Sequence, residues 1–134
     1  MEAPSPVERE CILAGLRAYN VGQAGPPDHR PLCVALRNAA GEMEGGLWGV
    51  TMYDWLFIEL LFIPERLRGG ALGREVMARA EEEARGRGCI GAWLDTFSFQ
   101  ARGFYEKLGY EVTGTIPDHP RDGARYIMSK RLRA

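Results

Sequence analysis

The chain has 134 residues, 46% of them hydrophobic and 26% charged, with 17 Lys and Arg against 18 Asp and Glu for a formal net charge of -1. That length suits one domain, residues 1–134, and the composition is that of a globular protein, which excludes a disordered chain as the starting assumption. Near-neutrality leaves no global field to draw the chain onto nucleic acid or an anionic membrane, so an anionic ligand has to be held by a local arrangement.

Pro6 opens a first predicted helix reaching about Asn20, with Val7, Cys11, Ile12, Leu16 and Tyr19 near one face. Val21 to Pro31, rich in Gly and Pro, reads as a loop that could meet substrate. Three strands follow, Leu32 to Arg37, Gly45 to Tyr53 and Leu56 to Ile63, in an antiparallel meander. The last is apolar at nearly every position except Glu59, which fits a central strand covered on both faces.

After Pro64 and the run Arg68-Gly69-Gly70, a helix is predicted to about Arg87, its inner face built from Leu72, Val76, Ala80 and Ala84. The i,i+4 pairs Glu75 with Arg79, Glu81 with Arg85 and Glu83 with Arg87 read as its solvated face. Cys89 to Leu94 is a second apolar strand, parallel to the one ending at Ile63 by strand-helix-strand order. A helix from Ser98 to Leu108, capped by Gly109, precedes two strands, Tyr110 to Ile116 and Arg125 to Leu132. The order is αβββαβαββ.

Cys11, Cys33 and Cys89 form no CxxC or Cys/His cluster and read as reduced core residues of a cytoplasmic protein. The first ten residues show no signal peptide, no apolar run approaches the ~20 residues of a membrane span, and no metal-ligand spacing is present. Neither a metal, a membrane nor a nucleic-acid partner is expected.

The segment that carries chemistry is Ile63 to Gly73. A helix N-terminus leaves its first amide donors unpaired and partly positive, so a glycine-lined turn feeding it can accept phosphate oxygens on bare backbone. Gly69, Gly70, Ala71 and Gly73 supply that turn, and Arg68 and Arg74 flank it with cationic donors. A Walker A loop needs Gly-Lys-Ser/Thr, which Gly73-Arg74-Glu75 lacks, and a dinucleotide fingerprint needs GxGxxG after an early strand. A glycine-rich turn that only closes a helix against a strand would carry the same residues.

Arg68-Gly69-Gly70-Ala71-Leu72-Gly73 resembles the acetyl-CoA motif of the GNAT superfamily of N-acetyltransferases, with Ala71 in place of the middle glycine of its fuller form. Phe104-Tyr105-Glu106-Lys107-Leu108-Gly109-Tyr110 is similar throughout to the family's second motif. The resemblance runs from about Leu32 to Leu132. It implies an α/β (α+β) fold with a mixed, mostly antiparallel twisted sheet flanked by helices, whose central strands splay to hold acetyl-CoA. It also implies that pantetheine lies along the backbone of Leu61, Phe62 and Ile63, and that the pyrophosphate meets Arg68 through Arg74, Leu72 included. Two departures stand out: no strand is read before the first helix, and Ser98 occupies a position where the family often has a cofactor-contacting asparagine.

Acetyl transfer needs a neutral amine, donors for the oxyanion and an acid for the departing thiolate. The resemblance gives the acid role to Tyr105, whose phenol is protonated at neutral pH. Glu59, inside an apolar strand, is the candidate base if desolvation raises its pKa, with a water chain as the alternative and Asp54, Asp95, Asp118 and His119 as substitutes. Arg102 and Lys107 read as surface charges, and the aromatics Trp48, Trp55, Trp93, Tyr53 and Phe57 as core. The expected activity is transfer of acetyl from acetyl-CoA to the primary amine of a small molecule or peptide in a ternary complex. A non-catalytic acyl-CoA-binding module on the same scaffold is the other reading. A homodimer is compatible with the resemblance, but no interface seam is legible.

Overall fold

The computed structural model describes residues 3–133. In chain order the elements are α1 (Pro6–Ala24), β1 (Arg30–Arg37), β2 (Met43–Met52), β3 (Trp55–Phe62), a 3-10 turn (Glu65–Leu67), α2 (Leu72–Gly86), β4 (Gly91–Phe97), α3 (Arg102–Lys107), β5 (Glu111–Pro117) and β6 (Ala124–Arg131). The six strands form one sheet in the order β1-β2-β3-β4-β6-β5. Among the described residues its only parallel pair is β3 with β4, as strand-helix-strand order predicts.

One face of the sheet is the core. Alternation along the strands sends Leu32, Leu47, Leu56, Ile58, Leu94 and Met128 to that face, where Val76, Met77, Ala80 and Ala84 of α2 meet them, all buried. The same face receives Tyr110 and, contrary to the reading of a wholly solvated charge run, Glu81. Position 81 follows Met77 by four residues and so lies on the inner stripe of α2. There Glu81 accepts a hydrogen bond from the Tyr110 hydroxyl at 2.8 Å and pairs with Lys130 Nζ at 2.8 Å. Burial first, and the Glu81 charge second, push the Tyr110 phenol well above its ordinary pKa.

The other face carries Trp48, Trp55, Phe57, Leu60, Phe62 and Trp93, and no helix of the described residues packs over it. The expectation that β3 is covered on both faces is thereby overturned, as is the placing of the tryptophans in the core. The reason is a bulge: Gly49 pairs with Ile58 and Trp48 with Leu60, which leaves Glu59 as an extra residue. Side-chain parity inverts there. Leu56 and Ile58 face α2 before the bulge and Leu61 after it, while Phe57, Leu60 and Phe62 face the other way. Two half-strands of opposite parity, read as one, look continuously apolar.

Several boundaries move. Helix α1 continues past Asn20 and through Gly22 to Ala24, ending at Gly25 with φ 79°, so the expected loop shrinks to residues 25–29. Its start is fixed by Pro6 at the first turn and by Ser5, whose amide donates to Glu8 Oε2 at 3.1 Å. Helix α3 begins at Arg102 rather than Ser98, because Ser98 and Gln100 spend their side chains on neighbouring main chain. Of the cysteines only Cys89 is buried, and that burial raises its thiol pKa, whereas Cys11 and Cys33 are exposed rather than core.

Candidate functional site

The parallel pairing of β3 with β4 runs from Trp55 and Gly91 to Ile58 and Leu94, and stops. One residue later comes the Glu59 bulge, so β3 follows β2 and departs from β4. The closed end is held by Phe57 stacked on Trp93 at 4.3 Å and by the Trp55 ring lying over Gly91, where any Cβ would collide with it. What opens between Glu59–Phe62 and Asp95–Phe97 is a wedge, and a cleft of about 770 Å³ fills it, floored by Phe104 and Tyr105. Beyond Ile58 the β3 backbone has a strand partner on the β2 side alone; the Phe62 carbonyl lies against Gly45 of β2, and by alternation the main-chain groups of Leu61 turn to the cleft side.

At the mouth of the wedge the 3-10 turn carries the chain to α2. Gly69 takes φ +85°, a conformation that other residues adopt at a cost, and Ala71 is the N-cap of α2 without a side-chain cap bond. The first amides of α2, from Leu72 onward, thus have no side-chain acceptor. A Cβ at Gly70 would meet nothing, whereas one at Gly73 would come within 3.2 Å of the Phe104 ring. Gly73 is therefore also a packing requirement between α2 and α3. Arg74 is exposed beside these amides. Arg68 is turned back, donating from Nε to the Ile63 carbonyl at 2.7 Å with its guanidinium over the Phe62 ring, so the Ile63 oxygen is already engaged.

Tyr105 lines the cleft, edge-on to Phe104 and to Tyr110. Desolvation, and next the nearby charge of Asp95, raise its pKa above the ordinary phenol value, so it is a proton donor at neutral pH. Glu59 also lines the cleft and is exposed, not enclosed by the apolar strand around it. Asp95 stands opposite it on β4, partly buried, with Oδ1 receiving Arg125 Nη2 at 2.7 Å and Nε at 3.0 Å. Arg125 is in turn 3.3 Å from His119 Nε2, whose ring meets Phe97 edge-on.

Ser98 is not in the cleft. Its hydroxyl accepts from the Ala124 amide at 3.0 Å and ties the end of β4 to the loop before β6. Gln100 lines the cleft instead, its Oε1 accepting from the Phe97 amide at 2.7 Å and the Thr96 hydroxyl at 3.2 Å. Asp54 sits in the turn before β3, at the closed end, and Arg102 lies over the Tyr126 ring and pairs with Glu106. Asp95 is already among the substitute bases read from the sequence, whereas Gln100 has no signal beyond its place in the mixed segment after β4.

Comparison with known proteins gives this geometry its context. Residues 5–110 match the family model described as Acetyltransferase (GNAT) family. An acetyltransferase of Agrobacterium fabrum is 43% identical over 107 residues, covering 80% of this chain and 78% of the relative. A blasticidin-S acetyltransferase of Streptomyces morookaense is 40% identical over 129 residues, covering 93% and 91%. A solved structure from Agrobacterium tumefaciens superposes with a TM-score of 0.91 at 36% identity over 98% of this chain and 96% of that one. The crystal structure of an acetyltransferase from Bacillus cereus does so with 0.89 at 29% identity, over the same shares. With the family model spanning most of the chain and two relatives at or above 40% identity, the protein belongs to the GNAT family of acetyltransferases.

Proposed function

We propose that the wedge binds acetyl-CoA and passes its acetyl group directly to the primary amine of a small molecule. The observation that carries this is the opening of β3 from β4 with Tyr105 at its floor, between an uncapped helix N-terminus and a pair of carboxylates. The pyrophosphate would sit on the amides at Gly69 to Gly73, with Arg74 beside it and Arg68 released from Ile63 to join it. The pantetheine amides would complete the β3 backbone beyond Ile58, at Leu61, as a strand would, placing the thioester near the bulge.

Glu59 and Asp95, one on each side of the opening, suit an acceptor that arrives as an ammonium. Its proton leaves to one of them or to water; the free nitrogen attacks the thioester carbon, and the C–S bond breaks. The sulfur takes the Tyr105 proton, and the phenolate recovers one from the nitrogen that has become an amide. No cysteine lines the cleft, so an acyl-enzyme is not required. The relative named as a blasticidin-S acetyltransferase makes blasticidin S the first amine to offer.

Thiol release from acetyl-CoA over a panel of amines is the test. Tyr105→Phe should lower kcat about 100-fold with little change in the KM for acetyl-CoA. Unchanged release would remove the acid role, and no release with any amine would overturn the acceptor class.

A further inference from the structure

Two apolar surfaces of this chain have no partner among the described residues. The first is the sheet face opposite α2, where Trp48 is 43% and Leu60 61% exposed beside Phe57, Phe62 and Trp93. The second is α1, which buries no residue along its length: Ile12 is 71%, Leu16 55% and Tyr19 66% exposed. Single exposed apolar residues are ordinary, but contiguous apolar surface of this kind marks a site of association.

We propose that α1 of one copy of this chain docks on the open sheet face of a second copy, each copy giving one helix and receiving one. The dimensions agree. The 19 residues of α1 make a rod about 28 Å long and about 10 Å across. The 10 residues of β2 extend about 33 Å, and the three adjacent strands β2, β3 and β4 make a strip about 10 Å wide.

The link that joins the helix to its own sheet is short and pinned, and α1 makes no extensive contact with its own strands. Only residues 25–29 connect α1 to β1. Within them the Gly25 carbonyl accepts from the Tyr53 hydroxyl at 3.3 Å, and the Pro27 carbonyl from the Tyr53 amide at 2.9 Å. Both bonds hold the link against the β2–β3 turn. A two-fold exchange satisfies both surfaces at once, which is the self-complementarity of an isologous dimer. Two such contacts are of the order of the ~1,600 Å² that stable interfaces bury. Leu60 and Phe62 belong both to this face and to the cleft, so the incoming helix borders the acceptor side of the wedge.

The test is the association state of the full chain by sedimentation equilibrium, followed with tryptophan emission, since all three tryptophans lie on the face to be covered. The wild type should reach twice 14.9 kDa in the micromolar range, with emission shifting to the blue as it associates. Ile12→Asp with Leu16→Asp, both at exposed positions, should stay monomeric with red emission and an unchanged far-ultraviolet circular dichroism spectrum. Leu60→Asp should do likewise. Mixing the helix variant with the Leu60 variant should restore part of the dimer, because one intact helix then meets one intact face. A monomer at every concentration, a dimer that survives the helix substitutions, or blue emission independent of concentration would each overturn the proposal.

Discussion

The two faces of the sheet are built from the same strands by the same alternation, yet they do different work. On the α2 side, every large residue has a partner, and even the charge of Glu81 is absorbed by Tyr110 and Lys130. On the other side lie the aromatics Trp48, Trp55, Phe57, Phe62 and Trp93, none of them fully buried. Apolar composition therefore does not reveal which face is core; the arrival of a helix by the right-handed β3-α2-β4 crossover does. The covered face should carry stability, and the open face should carry recognition.

The largest effect expected from that division is at Glu81. Glu81→Ala leaves Lys130 and the Tyr110 hydroxyl without their partner in the core and should cost about 3–5 kcal/mol in urea denaturation. A pair of leucines gives the sharpest contrast. Leu47→Ala, on the covered face, should cost about 2–5 kcal/mol, whereas Leu60→Ala, on the open face, should cost less than about 0.5 kcal/mol in dilute solution. Equal losses would break the comparison.

A smaller effect concerns pH. The Tyr110 phenol has a raised pKa in the folded state, so its contribution is present below the unfolded value of about 10 and is lost as pH rises beyond it. Stability should fall above about pH 10, by up to about 1.4 kcal/mol per pH unit per phenol, and Tyr110→Phe should flatten that decline. The smallest is at Gly70, where a Cβ meets no protein atom. Gly70→Ala should leave the melting temperature unchanged while weakening acetyl-CoA binding, as measured by calorimetry; unaltered affinity would place the pyrophosphate elsewhere.

Much of this was legible in the sequence. Element order, the parallel step and the Ile63 to Gly73 segment follow from strand-helix punctuation, and Phe104 to Tyr110 points to the residue at the cleft floor. What was not legible depended on one-residue events or on tertiary partners. The bulge at Glu59 inverts parity and disguises a one-sided strand as a two-sided one. Glu81 reads as half of a surface pair because Arg85 follows it, although Lys130, 49 residues on, holds it. Ser98 fits a family position, but its hydroxyl is drawn away by Ala124. The helix α1 shows one apolar face in the sequence, and nothing there says what meets it.

The stacked end of the wedge has a mechanical consequence. With Phe57 against Trp93 and the Trp55 ring resting on Gly91, β3 and β4 are joined like the sprung end of a clothes-peg whose jaws stand apart. Substitution at Gly91, far from any reacting atom, would act on the jaws through the spring.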